Sequence, residues 1–500
     1  MIKTIKRTSP FVILLICYVI ISVIGMIYTP LFDEDEGFYA EAARRMMESG
    51  DYITIEVNGQ PRYDKPILFY WFEVISIYIF GLNEFAVRLP SFLFFLLFLK
   101  ACYDFIGKHF NKAKAKIGII FCICTIQFLI LSRAAVTDNL LNYFLATALF
   151  NYYDFINTGK RTHLRKFYFA LGFGFLAKGP IAWAIAFLVI IVFHFIEKKP
   201  LQILKAFSLK GLLTTFLIPA PWFYLAFRES GEFLLSDFFI KHNLGRFTTT
   251  MESHGGNWWY YFPVLVLAFI PFSDRLLLLL RKPKFSPTEK YCLVWFLVGF
   301  VLFSFSKTQL PHYISCGFAP LIVVLAYRST TTLSKASKIQ MVTLSIFFVL
   351  LPIILSSSKI EFDAFTNLLL NQNTLVFDQL YLSISAGLLI GLIVSFYLKH
   401  PSYYFSIILF LVNTSLFIYK IGILQQAEVK EIGLILKDEA AEIFHTDHYN
   451  PSLSFYARKS LKINPELTKG NIYFIKGHLL DSEKMTILHG ERAYYIIRYH

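Results

Sequence analysis

Apolar runs of about 20 residues recur from Pro10 to Ile421 with short basic clusters between them, and no other feature restricts the fold so severely. A run of that length crosses a bilayer only as a helix, because the hydrocarbon core offers no water to satisfy a free backbone N–H or C=O. The composition agrees. Charged residues make up 16% of the 500, against roughly 25% in water-soluble domains, and the mean hydropathy is +0.54. The chain therefore reads as a polytopic α-helical membrane protein, which excludes a soluble enzyme, a disordered chain and a secreted disulfide scaffold. All six cysteines lie in or beside apolar runs, without CxxC or Cys/His spacing.

The net charge of +14 would suit a nucleic-acid partner if it formed one patch. Instead it is split among the loops, so no nucleic-acid partner is expected and the charge reports topology. Segments 1–9, 106–116, 157–166, 197–210, 274–290, 328–338 and 398–402 hold 24 Lys and Arg in 77 residues, whereas loops 30–65 and 228–257 hold 7 in 66. The first set is read as cytoplasmic and the second as external. Runs 117–156, 167–196 and 291–327 are then each flanked by cytoplasmic clusters, so each must be a hairpin. Their outer turns carry Arg133 and Asp138, Lys178-Gly179-Pro180, and Lys307 to His312. The pair around Lys178 is short, so one arm is expected to be tilted or re-entrant. Pro66 to Phe80 is too short to span and contains Glu73. It is expected to lie along the outer interface, with Tyr70 and Trp71 at headgroup level.

Counting the first apolar run as an uncleaved span, about 13 transmembrane helices result, with the amino terminus inside and the carboxyl terminus outside. The membrane domain occupies residues 1–421, with outer loops 30–88 and 228–257. Residues 422–500 form a small extracytoplasmic α/β domain, with a helix around Gln425 to Phe444 and strands near Asn471 to Ile475 and Ala493 to Tyr499.

The external loops carry the groups able to do chemistry. Asp33-Glu34-Asp35-Glu36 is followed by helical spacing to Ser49, and carboxylates at a helix start are favoured by its dipole. Arg62-Tyr63-Asp64-Lys65 follows, and Asp138, Lys178, Lys307, His312, His242 and His254 fall on the same side. The midplane carries almost no ionisable residue, whereas a transporter would place such groups there. No inverted repeat is found. Arg44 and Arg45 read equally as headgroup ligands or as membrane-surface residues, and His445 and His448 read as surface residues.

These motifs, taken in order, resemble a known family. Asp35-Glu36-Gly37-Phe38-Tyr39-Ala40-Glu41, Tyr63-Asp64-Lys65-Pro66, Phe85-Ala86-Val87-Arg88-Leu89-Pro90, Thr137-Asp138, Leu176-Ala177-Lys178-Gly179-Pro180, Ser306 to Tyr313 and Pro451-Ser452-Leu453-Ser454-Phe455-Tyr456 look like the pattern of the GT-C glycosyltransferases. The branch they resemble is that of the aminoarabinose lipid A transferases and the related protein O-mannosyltransferase-like (PMT) enzymes. Phe38 stands where that branch usually has Arg, and Asp64 where it usually has Glu.

The resemblance implies Asp35 as the catalytic carboxylate with Glu36 supporting it. It also implies Asp64 and His254 as ligands of a divalent metal ion of unknown identity, and Lys65 beside a lipid phosphate. Arg62, Asp138, Lys178, Lys307, His312 and Tyr313 complete the expected substrate-binding set. Cations here suit the phosphate that a polyprenyl-phosphate sugar leaves behind, and a carboxylate suits the proton of an acceptor hydroxyl. The expected protein is a monomeric glycosyltransferase of the bacterial inner membrane, without organic cofactor. It would move a sugar from a polyprenyl-phosphate donor to a lipid (lipid A-like) or glycan acceptor on the outer face, with inversion. The alternatives are a flippase of lipid-linked sugars, which breaks no bond, and an inactive lipid-binding relative.

Overall fold

The computed structural model describes residues 9–250, 255–281, 284–357, 362–398, 402–446, 449–490 and 492–500. Pro10 stands at the first position of α1 (Pro10–Tyr28), where its fixed φ suits a helix and its missing N–H costs nothing. After a short loop come α2 (Asp35–Ser49), the small hairpin β1–β2 (Glu56–Val57, Gln60–Pro61), α3 (Leu68–Phe80) and α4 (Glu84–His109). Gly50, at φ 73°, ends α2. The Asn83 side chain accepts the Ala86 N–H at the start of α4, as Asn111 does for Lys114 at the start of α5 (Lys112–Cys124).

Each of the three charge-flanked runs is a helix–turn–helix. The first comprises α5 and α6 (Ile126–Leu131), turning into α7 (Asp138–Thr158). The second pairs α8 (Arg161–Lys178) with α9 (Ile181–Ile196), turning at Gly179 with φ 79°. After α10 (Gln202–Ala206), α11 (Leu209–Leu217) and α12 (Ala220–Ser230) form one element bent by 42°. Beyond α13 (Tyr261–Ala268), the third hairpin joins α14 (Pro287–Ser304), opened by a Ser286–Glu289 capping box, to α15 (Phe318–Arg328). The helices α16 (Lys335–Ser357), α17 (Gln379–Ser395) and α18 (Ser402–Leu436) complete the bundle. Among the described residues, five helices are individually long and apolar enough to cross a membrane, and up to seven if bent pairs count as one span. The chain is an α-helical membrane protein.

Helix α3 departs from a simple interfacial helix. Ile75, Tyr78, Ile79 and Phe80 are exposed, as a lipid-facing side requires, but Tyr70 is buried against Tyr39 with ring centroids 5.4 Å apart. Only one side of the helix meets the surroundings, because the other packs on α2 and α4. Trp71 donates its indole N–H to the Tyr52 carbonyl at 2.7 Å. Glu73 is fully buried, and its pKa is pushed well above the ordinary value by burial first and by Glu36 second.

Helix α18 runs through position 421 without a break, and its last turns carry Val429, Ile432 and Leu436 into a second core. That core includes residues of a five-stranded sheet of order β4-β3-β5-β7-β6 (β3 Ile443–His445, β4 Lys462–Ile463, β5 Ile472–Lys476, β6 Met485–His489, β7 Tyr494–Tyr499). The β4-β3-β5 pairs are parallel and the β5-β7-β6 pairs antiparallel. Ile443 and Phe444, expected at the end of a helix, lie in the strand Ile443–His445. His445 is buried in it between Tyr449 and Phe474 instead of lying at the surface, and His448 is outside the described residues. A short helix, α19 (Pro451–Ala457), turns back from the sheet to the first outer loop.

Candidate active site

The four consecutive carboxylates of the first outer loop are not equivalent. Asp33 accepts from the Ser452 backbone N–H at 2.9 Å, the Ser452 hydroxyl at 2.6 Å and Asn450 Nδ2 at 3.1 Å, which ties the loop to α19. Gly37 makes this approach possible, since a Cβ there would sit 2.7 Å from the Ser452 nitrogen. Burial pushes Asp33 up to about 6, against the three hydrogen bonds. On the opposite side Glu36 takes two hydrogen bonds from Arg88, at 2.8 and 2.7 Å, and one each from the Ala135 and Phe32 N–H groups. Arg88 also donates to the carbonyls of Met26, Thr29 and Pro30. The junction of α1 and α2 is thus clamped from both sides, leaving Glu34 and Asp35 to line the cleft between them.

That cleft collects Asp35, Arg62, Asp64, Lys65, Asp138, Lys178, His312 and Tyr313, with Arg246, Tyr39 and Phe38. Asp35 stands at the first turn of α2, Asp138 at the start of α7 and Lys178 at the end of α8, so helix termini aim three of the charges. Lys178 pairs with Asp138 at 2.7 Å, and His312 Nε2 lies 4.0 Å from the same carboxylate. Burial lowers the His312 pKa, Asp138 opposing, so the imidazole is neutral at pH 7. Asp64 lies between Lys65 at 3.4 Å and Arg62 at 3.6 Å. Burial would raise its pKa, but Lys65, Arg62, His242 and Arg246 hold it well below the usual carboxylate range. The Lys65 pKa is lowered, by burial first, and Arg246 and Lys178 add to that against Asp64. The Arg62 guanidinium stacks 4.0 Å over the Phe38 ring.

Two residues expected in the site are elsewhere. Glu36 faces away from the cleft as the partner of Arg88, a positioning contact with both side chains 3% exposed. Lys307 is exposed at a bend between buried Ser306 and Thr308. Its two neighbours turn inward instead: the Ser306 hydroxyl and the Thr308 N–H both donate to the Arg246 carbonyl, at 2.9 and 3.0 Å. Arg246 was not singled out from the sequence. It donates to the Tyr313 hydroxyl, and Lys178 lies 5.3 Å over the same ring. The signal for it was its position: it is one of only three cations that loop 228–257 keeps against the charge bias. Arg44 and Arg45 are spent on ion pairs with Glu41, Glu48 and Glu56.

A second cleft shares Asp64, Lys65, Lys178, Arg246 and Tyr313 and continues along Leu141, Ile181, Phe247 and Phe303. The cations therefore stand where a polar chamber meets an apolar groove. Among the described residues no three His, Cys, Asp or Glu side chains gather as metal ligands, and His254 lies outside them. Asp64 is the one expected ligand within the description, and it is already held by two cations.

Residues 64–225 match the family described as dolichyl-phosphate-mannose-protein mannosyltransferase. The chain is 28% identical over 327 residues to the undecaprenyl phosphate-alpha-4-amino-4-deoxy-L-arabinose arabinosyl transferase of Aeromonas hydrophila, covering 62% of this chain and 58% of that one. It is 30% identical over 328 residues to the protein of the same name in Aeromonas salmonicida, with the same coverage. The chain thus spans under two thirds of the length of these relatives. The crystal structure of ArnT from Cupriavidus metallidurans bound to undecaprenyl phosphate covers 97% of both chains with a TM-score of 0.82 at 19% identity. The membrane fold implied by the ordered motifs is the fold observed, and the chain is similar to ArnT and to the aminoarabinose transferases.

Proposed function

We propose that this ArnT-like chain is a glycosyltransferase that moves one sugar from a polyprenyl-phosphate donor to a lipid A-like or other envelope acceptor on the outer face of the inner membrane. The observation that carries this reading is the cleft itself, where Asp35, between the clamped Asp33 and Glu36, shares the lining with Lys65, Lys178, Arg246 and Tyr313 at the mouth of an apolar groove. The groove suits a polyprenyl chain, and the cations suit its phosphate. The similarity to arabinosyl transferases and to ArnT bound to undecaprenyl phosphate supports the same donor class.

In this reading the acceptor oxygen attacks the anomeric carbon, the bond from that carbon to the phosphate oxygen breaks, and the electron pair passes to the phosphate. Lys65, Arg246 and Lys178 stabilise the charge that develops there. Asp35 takes the proton of an acceptor hydroxyl, or orients an acceptor phosphate that has none to give. The Asp138–Lys178 pair and neutral His312 hold the far wall. A single displacement inverts the anomeric configuration. A divalent ion at Asp64 would add a further positive charge. Such an ion would have to displace Lys65 or Arg62 from the Asp64 carboxylate, and no step above depends on it.

The proposal extends to about 13 crossings, a monomer, and residues 422–500 on the same face as the cleft. Incubating the purified protein in detergent with a radiolabelled undecaprenyl-phosphate sugar and a lipid A acceptor tests the function. Label transferred to the acceptor is the expected result, and intact donor after full incubation would exclude bond-breaking chemistry.

A further inference from the structure

We infer that the opposite end of the bundle holds a binding site for one anionic phospholipid, between the start of α8 and the start of α11. A cleft of about 720 Å³ opens there, lined by Arg161, Arg165, Lys166, Phe169, Phe207 and Lys210. It lies at the other end of α8 from Lys178, about 25 Å away at 1.5 Å per residue, and so belongs to the opposite membrane surface. Among the described residues no carboxylate lines it. Among the described residues Arg165, Lys166 and Lys210 form no ion pair, and Arg161 reaches the Lys205 carbonyl at 3.4 Å.

The arrangement is unfavourable without an anion. Arg161 and Arg165 are like charges four residues apart on one helix face. The first turn of α8 has no acidic residue, and cations there oppose the helix dipole. Lys210 repeats this at the start of α11, where the Ser208 hydroxyl caps the Gly211 N–H. The two helix starts are brought together because Gly211 has no Cβ, which would stand 2.1 Å from the Tyr168 ring. A cytoplasmic charge bias accounts for cations on this side. It does not account for a concave site with a cationic rim and an apolar floor.

That floor selects the ligand. Phe169 and Phe207 are 54% and 64% exposed beside the cations, and a free phosphate would leave both uncovered. A phosphodiester with acyl chains satisfies rim and floor together: the headgroup phosphate lies among Arg165, Lys166 and Lys210, and one chain runs over the two rings.

Native mass spectrometry of the full-length protein, delipidated and then titrated with phosphatidylglycerol or phosphatidylcholine, tests the site. Wild type should retain one phosphatidylglycerol that the combined Arg165→Gln, Lys166→Gln and Lys210→Gln variant binds on the order of 100-fold more weakly, at about fivefold per cation removed. Phosphatidylcholine should not be retained, and millimolar glycerol 3-phosphate should not displace the lipid. Single Arg165→Gln and Lys210→Gln variants, each monodisperse in detergent, give the same test at about fivefold if the combined variant fails to fold. Equal retention by wild type and the variants, or displacement by glycerol 3-phosphate, would overturn the proposal. Because these residues are remote from the cleft holding Asp35, the outcome is independent of whether transfer occurs there.

Discussion

Asp33, Glu34, Asp35 and Glu36 are adjacent in sequence, yet Asp33 and Glu36 are spoken for by residues far along the chain. Ser452 takes Asp33 and Arg88 takes Glu36, and neither partner is visible from a run of acids alone. The same separation of neighbours occurs at Ser306-Lys307-Thr308, where the charged residue points out and the two hydroxyl residues hold Arg246. We expect Arg246→Gln to weaken undecaprenyl phosphate binding about tenfold or more, the scale of a lost hydrogen bond to a charged group. Lys307→Gln should leave binding within about twofold, as exposed charges usually do. Titration of both variants by microscale thermophoresis checks the contrast, and equal losses would return Lys307 to the site.

At the scale of elements, the docking of α19 on the first outer loop links the sheet to the start of α2. Asp33 carries this contact, with a folded pKa of about 6 against an ordinary 3.8. A carboxyl whose pKa is raised on folding binds more protons in the native state, so its contribution is full below 3.8 and is lost as pH rises through about 6. The melting temperature of wild type relative to Asp33→Asn should therefore fall between these limits and then level off. A difference that does not vary with pH would show that Asp33 does not titrate in this window. The helices themselves were legible in advance: the basic clusters dictated three hairpins, and all three have their turns at the expected residues. The division of the carboxylates was not legible, because it depends on Arg88 and Ser452 packing against the loop in three dimensions. Nor was the buried face of α3, since its sequence is apolar all round except for Glu73 and Ser76.

At the scale of the whole molecule, most of the cleft was readable because motifs from five separate segments share a membrane side once the charges are assigned. Arg246 escaped because its loop carries no distinguishing spacing around it. The account requires the cleft and the sheet to lie outside together, and α18 connects them continuously up to Leu436. An alkaline phosphatase fused after Leu436 should be active, since that enzyme needs the oxidising outer compartment. A cytoplasm-only reporter active at the same junction would refute the thirteen-crossing topology.

The most direct test of the central claim is the single-turnover rate of sugar transfer by Asp35→Asn with the donor already bound. The substitution keeps the size of the side chain and removes its charge, while the clamps through Asp33 and Glu36 remain, so folding and donor binding should persist. The account predicts a transfer rate lower by on the order of 100-fold or more. Transfer at the wild-type rate with donor binding intact would contradict it, and would remove Asp35 from the chemistry altogether.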